Sequence, residues 1–429
     1  MPVPFAAAML AIQLQNADTR LLSSLNDDQW RELLPAMDRA RLTLTLAQQL
    51  HSDLPRWVQE RLSCNLAHTA RNWERVHSAY REAAATLDAK GVEYLVLKGF
   101  TQTPDFVPPA ELRWQSDIDF YVPPDQISSA VDALREIGYA PYHAEEANQY
   151  ADHVPTLVRF GTWQWRGNWY DPETPPAIEV HFCFWNDSVS AIAIPEFDEF
   201  WKRRRIRASE ELIFPALHPL DHLAYFAMHI LRDIFNEDIR PNRLRELGTF
   251  LDGRASDDAF WKEWTTVYSP RFRSLQAVAF ALAGAWFSCN ISDTVQSEID
   301  SLPTTVQVWM ERCGCTPLEA QFGRTRNGRL LQFLFAETPE ARRKILWRAL
   351  VPSRIPGPAK VASRGTHASL PVMPKRISSF LAYPLYIVSR AWMNGGAVVR
   401  FLAHGCLMYF LRGRDLPVTR SDFGSALGR

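Results

Sequence analysis

The chain has 429 residues, more than one hydrophobic core usually covers, so two or three domains are expected. Hydrophobic residues make up 47% and charged residues 22%, which are globular values and exclude a chain that is disordered throughout. The six cysteines are scattered without a CxxC pair, which argues against a disulfide or zinc framework and favours the reducing cytoplasm. The first residues lack the basic n-region of a signal peptide.

The net charge of −1 conceals a strong asymmetry along the chain. Residues 341–429 hold fifteen Lys and Arg but only two acidic residues, so the remainder is acidic. Such a split predicts a tail with its own partner, which can be an anionic membrane surface, nucleic acid or the acidic body itself. The acidic body argues against nucleic acid.

Residues 1–85 are predicted to form an N-terminal helical region, because apolar residues recur there at helical spacing. Asn26 is expected to cap one helix, with Gln29 at the third helical position to complete the cap. A long helix over residues 64–90 should end at Gly91, since glycine commonly follows the last helical turn.

Residues 86–210 have the pattern of a compact α/β unit. Short apolar runs favour strands, and a stretch with apolar residues on one helical face favours a helix. The predicted elements are, in chain order, a strand at 92–97, a strand at 117–122, a helix at 126–137 and two strands within 154–166 and 177–185. Together they predict a mixed sheet.

Residues 211–350 are predicted to form a helical domain. Residues 351–429 are predicted to be a basic linker followed by an apolar and basic tail helix. Helices are predicted at 219–235, 242–252, 257–266 and 271–288, with shorter pieces to about residue 350. Residues 351–374 have the Pro/Gly/Ser-rich composition of a linker. The longest uncharged run within residues 377–411 is thirteen residues, too short to span a membrane. This segment is expected either to touch the inner face of the membrane peripherally or to dock on the body.

Two carboxylates, Asp117 and Asp119, lie on the second predicted strand, S-D-I-D-F-Y-V. Because strand side chains alternate between faces, both should point the same way. Adjacent carboxylates repel unless a cation lies between them, and Mg²⁺ with a phosphate substrate is the usual solution. By the same alternation Glu179 and His181 share one face of a neighbouring strand. Glu179 would then be the third carboxylate, and the three together predict a cage for two Mg²⁺ ions. A solvated pair on an edge strand, and packing for His181, are the alternatives.

Lys98 and Gly99 end the first predicted strand. Glycine lets backbone amides approach a phosphate closely, and lysine adds a mobile positive charge. Arg113, four residues before Asp117, can pair with a carboxylate or clamp phosphate oxygens. These residues point to phosphate chemistry at the same edge of the sheet.

The order of these motifs resembles that of the bacterial uncharacterised nucleotidyltransferases, within the DNA polymerase β-like nucleotidyltransferase superfamily. The matching stretches are Y-L-V-L-K-G (94–99), L-R-W-Q-S-D-I-D-F-Y-V (112–122), E-I-G-Y (136–139), I-E-V-H-F (178–182), H-P-L-D-H-L-A-Y-F-A-M-H (218–229) and R-L-R-E-L (243–247). The resemblance covers roughly residues 60–350. It implies an α+β fold, with a small mixed-sheet core flanked by N-terminal helices and a C-terminal helical domain.

The resemblance also implies a reaction: transfer of a nucleoside monophosphate from a nucleoside triphosphate to an acceptor hydroxyl, with release of pyrophosphate. Two Mg²⁺ ions would assist it, and the acceptor would be a small molecule, a sugar or a protein. The implied catalytic and metal-binding residues are Asp117, Asp119 and Glu179, with His181 behind them. The implied nucleotide-binding residues are Lys98, Gly99, Arg113 and Ser116.

Two departures from the superfamily pattern keep other functions open. Phe100 follows Gly99 where Ser or Gly is usual, and Asp117 lies further along the chain than in the usual pattern. The phosphate-binding serine is therefore missing, with Thr101 as a weak substitute. The alternatives are a non-catalytic, nucleotide-binding or antitoxin-like regulatory module with the same fold, and an enzyme that modifies nucleic-acid ends.

Three histidines of the first C-terminal helix, His218, His222 and His229, share roughly one helical face. They can be packing residues or a metal site. A third interpretation places His222, His229, Arg232 and Arg243 along the nucleotide cleft.

Overall fold

In the computed structural model the described residues are 2–49, 54–107, 113–142, 152–159, 161, 163–209, 212–314, 327–350, 392, 395 and 396. The predicted linker, 351–374, lies outside them, and so does the segment 377–411 apart from those last three positions. No helix in the described part is long and apolar enough to cross a membrane.

The N-terminal part is helical, as predicted. Its helices are α1 (Val3–Ala11), α2 (Arg20–Ser23), α3 (Asp27–Ala40), α4 (Thr43–Gln49) and α5 (Arg56–Ala89). The cap of α3 is confirmed: the Asn26 side chain accepts a hydrogen bond from the Gln29 amide, and the Gln29 side chain accepts one from the Asn26 amide, both at 2.9 Å. Helix α5 begins at Arg56, directly after Pro55, which is earlier than the predicted residue 64.

The centre is a seven-stranded mixed sheet with the strand order β3-β4-β5-β2-β1-β7-β6. The strands are β1 (Leu95–Leu97), β2 (Asp117–Tyr121), β3 (Ala140–Pro141), β4 (Leu157–Val158), β5 (Ala177–His181), β6 (Arg205–Ser209) and β7 (Leu212–Ala216). Strand β2 pairs antiparallel with β1 and parallel with β5. The two carboxylate-bearing strands are therefore direct neighbours.

Parts of the sheet differ from the prediction. In the stretch 154–166 only Leu157–Val158 are strand among the described residues. Leu157 pairs with Pro141 and Ile178, and Val158 pairs with Ala140. The β6–β7 hairpin was not predicted. It forms one edge of the sheet, with Ile206 and Ile213 each 72% exposed, so its apolar residues do not all mark a buried face. Pro215 lies within β7, where proline is unusual.

Of the remaining helices in the described part of the chain, two lie between sheet strands in the chain and the others follow the last strand. They are α6 (Ile127–Glu136), α7 (Asp187–Ser190), α8 (Pro219–Asn236), α9 (Pro241–Gly253), α10 (Asp258–Val267), α11 (Pro270–Phe287), α12 (Asp293–Asp300), α13 (Thr304–Cys313), α14 (Gly328–Phe335) and α15 (Pro339–Leu350). The four helices predicted between residues 219 and 288 are confirmed as α8 to α11, within a few residues at each end.

Two hydrophobic cores cover the two faces of the sheet. Helices α5 and α6 pack on the face that carries Ile118, Phe120 and Ile178. The larger core joins α1 and α3 to α8 and α11, and it reaches the sheet at Leu95 and Leu97. A mixed sheet between helical layers confirms the α+β fold class. The carboxylates of β2 point away from the α5–α6 core, toward the larger helical core.

Candidate functional site

The register of β2 and β5 places the predicted carboxylates side by side. Asp119 lies directly opposite Glu179, and Ile118 opposite Ile178. Because the strands are parallel and the register is not shifted, alternation buries the two isoleucines on one face. Asp117, Asp119 and Glu179 lie on the other face, where all three line one cleft.

This cleft has a volume of about 260 Å³ and lies between the sheet and helices α3, α4, α8 and α9. The structure brings every predicted site residue to it. The cleft is lined by Lys98, Gly99, Arg113, Ser116, Asp117, Asp119, Glu179 and His181, among others.

Lys98 is held against Asp119. Its Nζ lies 2.6 Å from Asp119 Oδ1; the side chain of Asp119 is buried and that of Lys98 is 12% exposed. Lys98 has φ 51, an uncommon backbone conformation for a residue with a side chain, at the turn that follows β1. Burial acts to lower the pKa of Lys98, but the negative charge of Asp119 outweighs it and raises the pKa above its ordinary value. The lysine is therefore a fixed positive charge inside the cleft.

Gly99 is required by a close contact within the protein. A Cβ at this position would lie 2.1 Å from Nε2 of Gln115, and the residue has φ 59. Gln115 donates a hydrogen bond of 2.6 Å to the carbonyl of Asp117, so it holds the start of β2. Sequence reasoning missed Gln115, although it lies inside the motif that carries the two aspartates.

Thr101 does not offer a free hydroxyl to a phosphate. It is buried, and its Oγ1 donates a hydrogen bond of 2.7 Å to the carbonyl of Lys98. This bond stabilises the turn that aims Lys98 at Asp119. The missing phosphate-binding serine is thus not replaced by Thr101.

His181 is buried between carboxylates. Its Nε2 lies 2.8 Å from Asp119 Oδ1 and 3.7 Å from Glu179 Oε2, and its Nδ1 lies 3.6 Å from Asp152 Oδ2. Burial and Lys98 act to lower its pKa, but Asp152 and Asp119 raise it well above the ordinary value. One donor atom from each of Asp119, Glu179 and His181 lies within 4.8 Å of the others, an arrangement that can hold a metal ion.

The three carboxylates differ in electrostatic environment. Burial and the negative charges of Asp119 and Glu179 raise the pKa of Asp117. Burial acts in the same direction on Asp119, but Lys98 and His181 hold its pKa well below the ordinary value. For Glu179 the contribution of burial is outweighed by the interaction with His181, so its pKa is lowered. Asp117 is the carboxylate whose charge the protein itself compensates least.

Residues 26–288, more than half of the chain, match the family model described as an uncharacterised nucleotidyltransferase. The chain belongs to this nucleotidyltransferase family. No curated protein and no solved structure matches it. The matched range runs from the cap of α3 to the end of α11, so it includes the sheet and the helices that line the cleft.

The three histidines at the start of α8 and within it have separate surroundings. His218 accepts a hydrogen bond of 3.4 Å from the Leu220 amide at the start of the helix. The ring of His222 packs against Phe106, with centroids 4.9 Å apart. Only His229 lines the cleft. The three form no metal-binding group among the described residues, so the packing interpretation holds for His218 and His222.

Arg113, Arg232 and Arg243 all line the cleft, and each is paired with a carboxylate. Arg113 Nε lies 3.2 Å from Glu246 Oε1. Arg232 pairs with Asp152, and Arg243 pairs with Asp233. Sequence reasoning missed these carboxylate partners because each lies on a different element from its arginine, and for Arg113 and Arg232 the partner is 80 or more residues away. It also missed three further lining arginines, which are Arg41, Arg240 and Arg245.

Proposed function

We propose that this chain is an active, Mg²⁺-dependent nucleotidyltransferase that moves a nucleoside monophosphate from a nucleoside triphosphate such as ATP to an acceptor hydroxyl and releases pyrophosphate. One observation carries the proposal. Asp117, Asp119 and Glu179 converge from two parallel strands on a cleft lined by seven Lys and Arg side chains. Carboxylates for metal ions and cations for phosphates are the two requirements of phosphoryl transfer. The acceptor is proposed to be a small molecule, a sugar or a protein.

The carboxylates fit divalent cations. Their oxygens are the ligand type that Mg²⁺ prefers. The raised pKa of Asp117 reflects burial and repulsion from Asp119 and Glu179, and bound cations would relieve that repulsion. The proposed ligands of two ions are these three carboxylates. When bound, the ions would neutralise charge on phosphate oxygens and favour deprotonation of the acceptor hydroxyl.

The other predicted residues are proposed to bind and orient. Lys98 and His181 both contact Oδ1 of Asp119, which orients this carboxylate and leaves its Oδ2 for a cation. Arg113 and Ser116 line the same cleft and are proposed to contact the nucleotide. Gly99 keeps the turn after β1 close to Gln115, which holds β2 in place.

A single substitution tests the proposal. Asp119→Asn preserves the shape of the side chain but removes its negative charge, and we expect at least about a 100-fold loss of turnover. Pyrophosphate release is measured with each of the four ribonucleoside triphosphates, Mg²⁺ and cell extract, together with transfer of label from the α-phosphate. The control is Asp125→Asn, an exposed carboxylate outside the cleft. Full activity of Asp119→Asn would show that the carboxylates do not carry the reaction.

The second candidate function is a nucleotide-binding regulatory module without turnover. The commitment of the Thr101 hydroxyl to the Lys98 carbonyl favours it, because the phosphate-binding hydroxyl of the superfamily is then absent. This alternative predicts that the wild-type protein binds nucleotide while neither pyrophosphate nor a labelled product accumulates in the same assay. Product formation that requires Asp119 would exclude it.

The proposed place of action is the cytoplasm. The scattered cysteines support a reducing compartment. Peripheral contact of residues 377–411 with the inner face of the membrane stays a prediction, supported by their basic and apolar composition.

A further inference from the structure

We propose that Arg41 and Arg240 form a binding site for the oligophosphate chain of the nucleotide, beside the carboxylate of Asp117. This assignment rests on the proposed function, and it gives the N-terminal helices a direct part in the site. Neither arginine was singled out by the sequence, since Arg41 precedes β2 by more than seventy positions and Arg240 follows β5 by about sixty.

The pairing of the cleft cations sets these arginines apart. Four of the seven cations that line the cleft have a carboxylate partner within 4.0 Å. Arg41, Arg240 and Arg245 have none among the described residues. Arg245 is used by the protein itself, because its Nε donates a hydrogen bond of 3.1 Å to the carbonyl of Ile12. Arg41 and Arg240 are the cleft cations that have neither a carboxylate partner nor a side-chain hydrogen bond among the described residues.

Arg41 has no carboxylate within ion-pairing distance among the described residues, and Asp117 interacts with it only at longer range. It is the residue directly after α3, with φ 60, and its guanidinium lies over the ring of Trp169 at 4.8 Å from the centroid. Its side chain makes no hydrogen bond to the described part of the chain. Burial lowers the pKa of Arg41 to about 10, and the charge of Arg240 acts in the same direction. Arg41 is partly shielded from water, and charged groups shielded in this way are normally paired, so this position favours an anionic ligand.

The chemistry of the cleft favours an oligophosphate over a single negative charge. An oligophosphate offers several charged groups, so different phosphates can pair with Arg41 and Arg240 at the same time, whereas a single charge gains less from the two arginines. Guanidinium groups match phosphate oxygens with two parallel hydrogen bonds. The charge of Asp117 interacts with the charges of both arginines. The two arginines therefore lie on the side of the cleft where the carboxylates are. They therefore supply the phosphate contact that the missing serine leaves open.

The test measures binding of inorganic tripolyphosphate to the full chain by titration calorimetry. We expect Arg41→Ala and Arg240→Ala each to weaken tripolyphosphate binding about tenfold or more, because each loses charge-assisted hydrogen bonds. Arg39→Ala is the matched control: Arg39 also lies at the end of α3, is exposed and does not line the cleft. Since Arg240 is exposed, its variant keeps the test valid if Arg41→Ala folds poorly.

Three results would overturn the assignment. They are the absence of measurable tripolyphosphate binding to the wild-type chain, wild-type affinity in both cleft variants, and an equal loss in Arg39→Ala. A phosphorylated acceptor is the other source of such an anion. Glycerol 3-phosphate that binds as tightly as tripolyphosphate, and weakens by the same factor in both variants, would overturn the assignment to the nucleotide. Tripolyphosphate is not turned over, so this result does not depend on the outcome for Asp119→Asn.

Discussion

Gly99 illustrates how one residue can serve the fold and the site at once. The sequence suggested that a glycine is needed there so that a phosphate can approach the backbone. The structure shows a different contact, because Gln115 occupies the space that a Cβ would need. The requirement for glycine at this position was predictable from the motif. The group that approaches it was not, because that depends on how the segment before β2 folds back.

The first residue-scale prediction concerns Gly99→Ala. The new Cβ would meet Gln115 Nε2 at 2.1 Å in a backbone with φ 59, so we expect a loss of about 1–3 kcal/mol in the free energy of unfolding. Urea unfolding measures it. Gly253→Ala is the control, since a Cβ there meets no atom within 4 Å. Adding Gln115→Ala should recover the part of the loss that comes from the clash. Unchanged stability of Gly99→Ala would show that the turn adjusts freely.

A second prediction concerns His222 and the pH dependence of stability. Burial, and to a smaller extent the positive charge of Arg207, lowers the pKa of His222 to about 3. Its Nε2 has no hydrogen-bond partner among the described residues. The unfolded chain therefore binds the proton more tightly, and stability falls as the pH falls from about 6.5 toward 3. Between pH 7 and pH 5 this one group should remove on the order of 2 kcal/mol.

His222→Gln, which does not titrate in this range, should lack that loss. The measurement is the free energy of unfolding in urea at pH 7 and at pH 5 for both proteins. The wild-type chain should lose more stability than the variant over this interval. Equal losses in the two proteins would mean that the pKa of His222 is the same in the folded and the unfolded chain.

At the scale of elements, local signals were predictable and long-range partners were not. The α3 cap was predicted to the residue, because Asn26 and Gln29 are three positions apart and satisfy each other. The common face of Asp117, Asp119 and Glu179 followed from strand alternation once β2 and β5 were treated as neighbours.

Strands whose apolar residues are not all buried were not predicted. The β6–β7 hairpin is an edge of the sheet in which apolar Ile206 and Ile213 face solvent and Pro215 interrupts the strand pattern. Arg41 and Arg240 escaped for another reason. Each lies at the end of a helix far in sequence from the carboxylates, and only tertiary packing brings both to the cleft.

At the scale of the whole molecule, the cleft depends on both cores. One core supports β2 and β5 from behind through α5 and α6. The other holds α3, α8 and α9, which supply the cationic side of the cleft. The N-terminal helices share this second core with the C-terminal helices, so a change in α1 should be felt in helices that are more than 200 residues away in sequence.

Phe5→Ala tests this coupling. Phe5 is 1% exposed and belongs to the core that also contains Leu247 of α9 and Phe280 of α11. Replacing a buried phenylalanine with alanine typically costs about 3–5 kcal/mol, because a cavity remains. Hydrogen exchange followed by mass spectrometry should show reduced protection in α9 and α11 as well as in α1. Val3→Ala, at an exposed position of the same helix, is the control. Faster exchange confined to α1 would show that α1 opens independently of α9 and α11, and the proposed coupling through the shared core would be wrong.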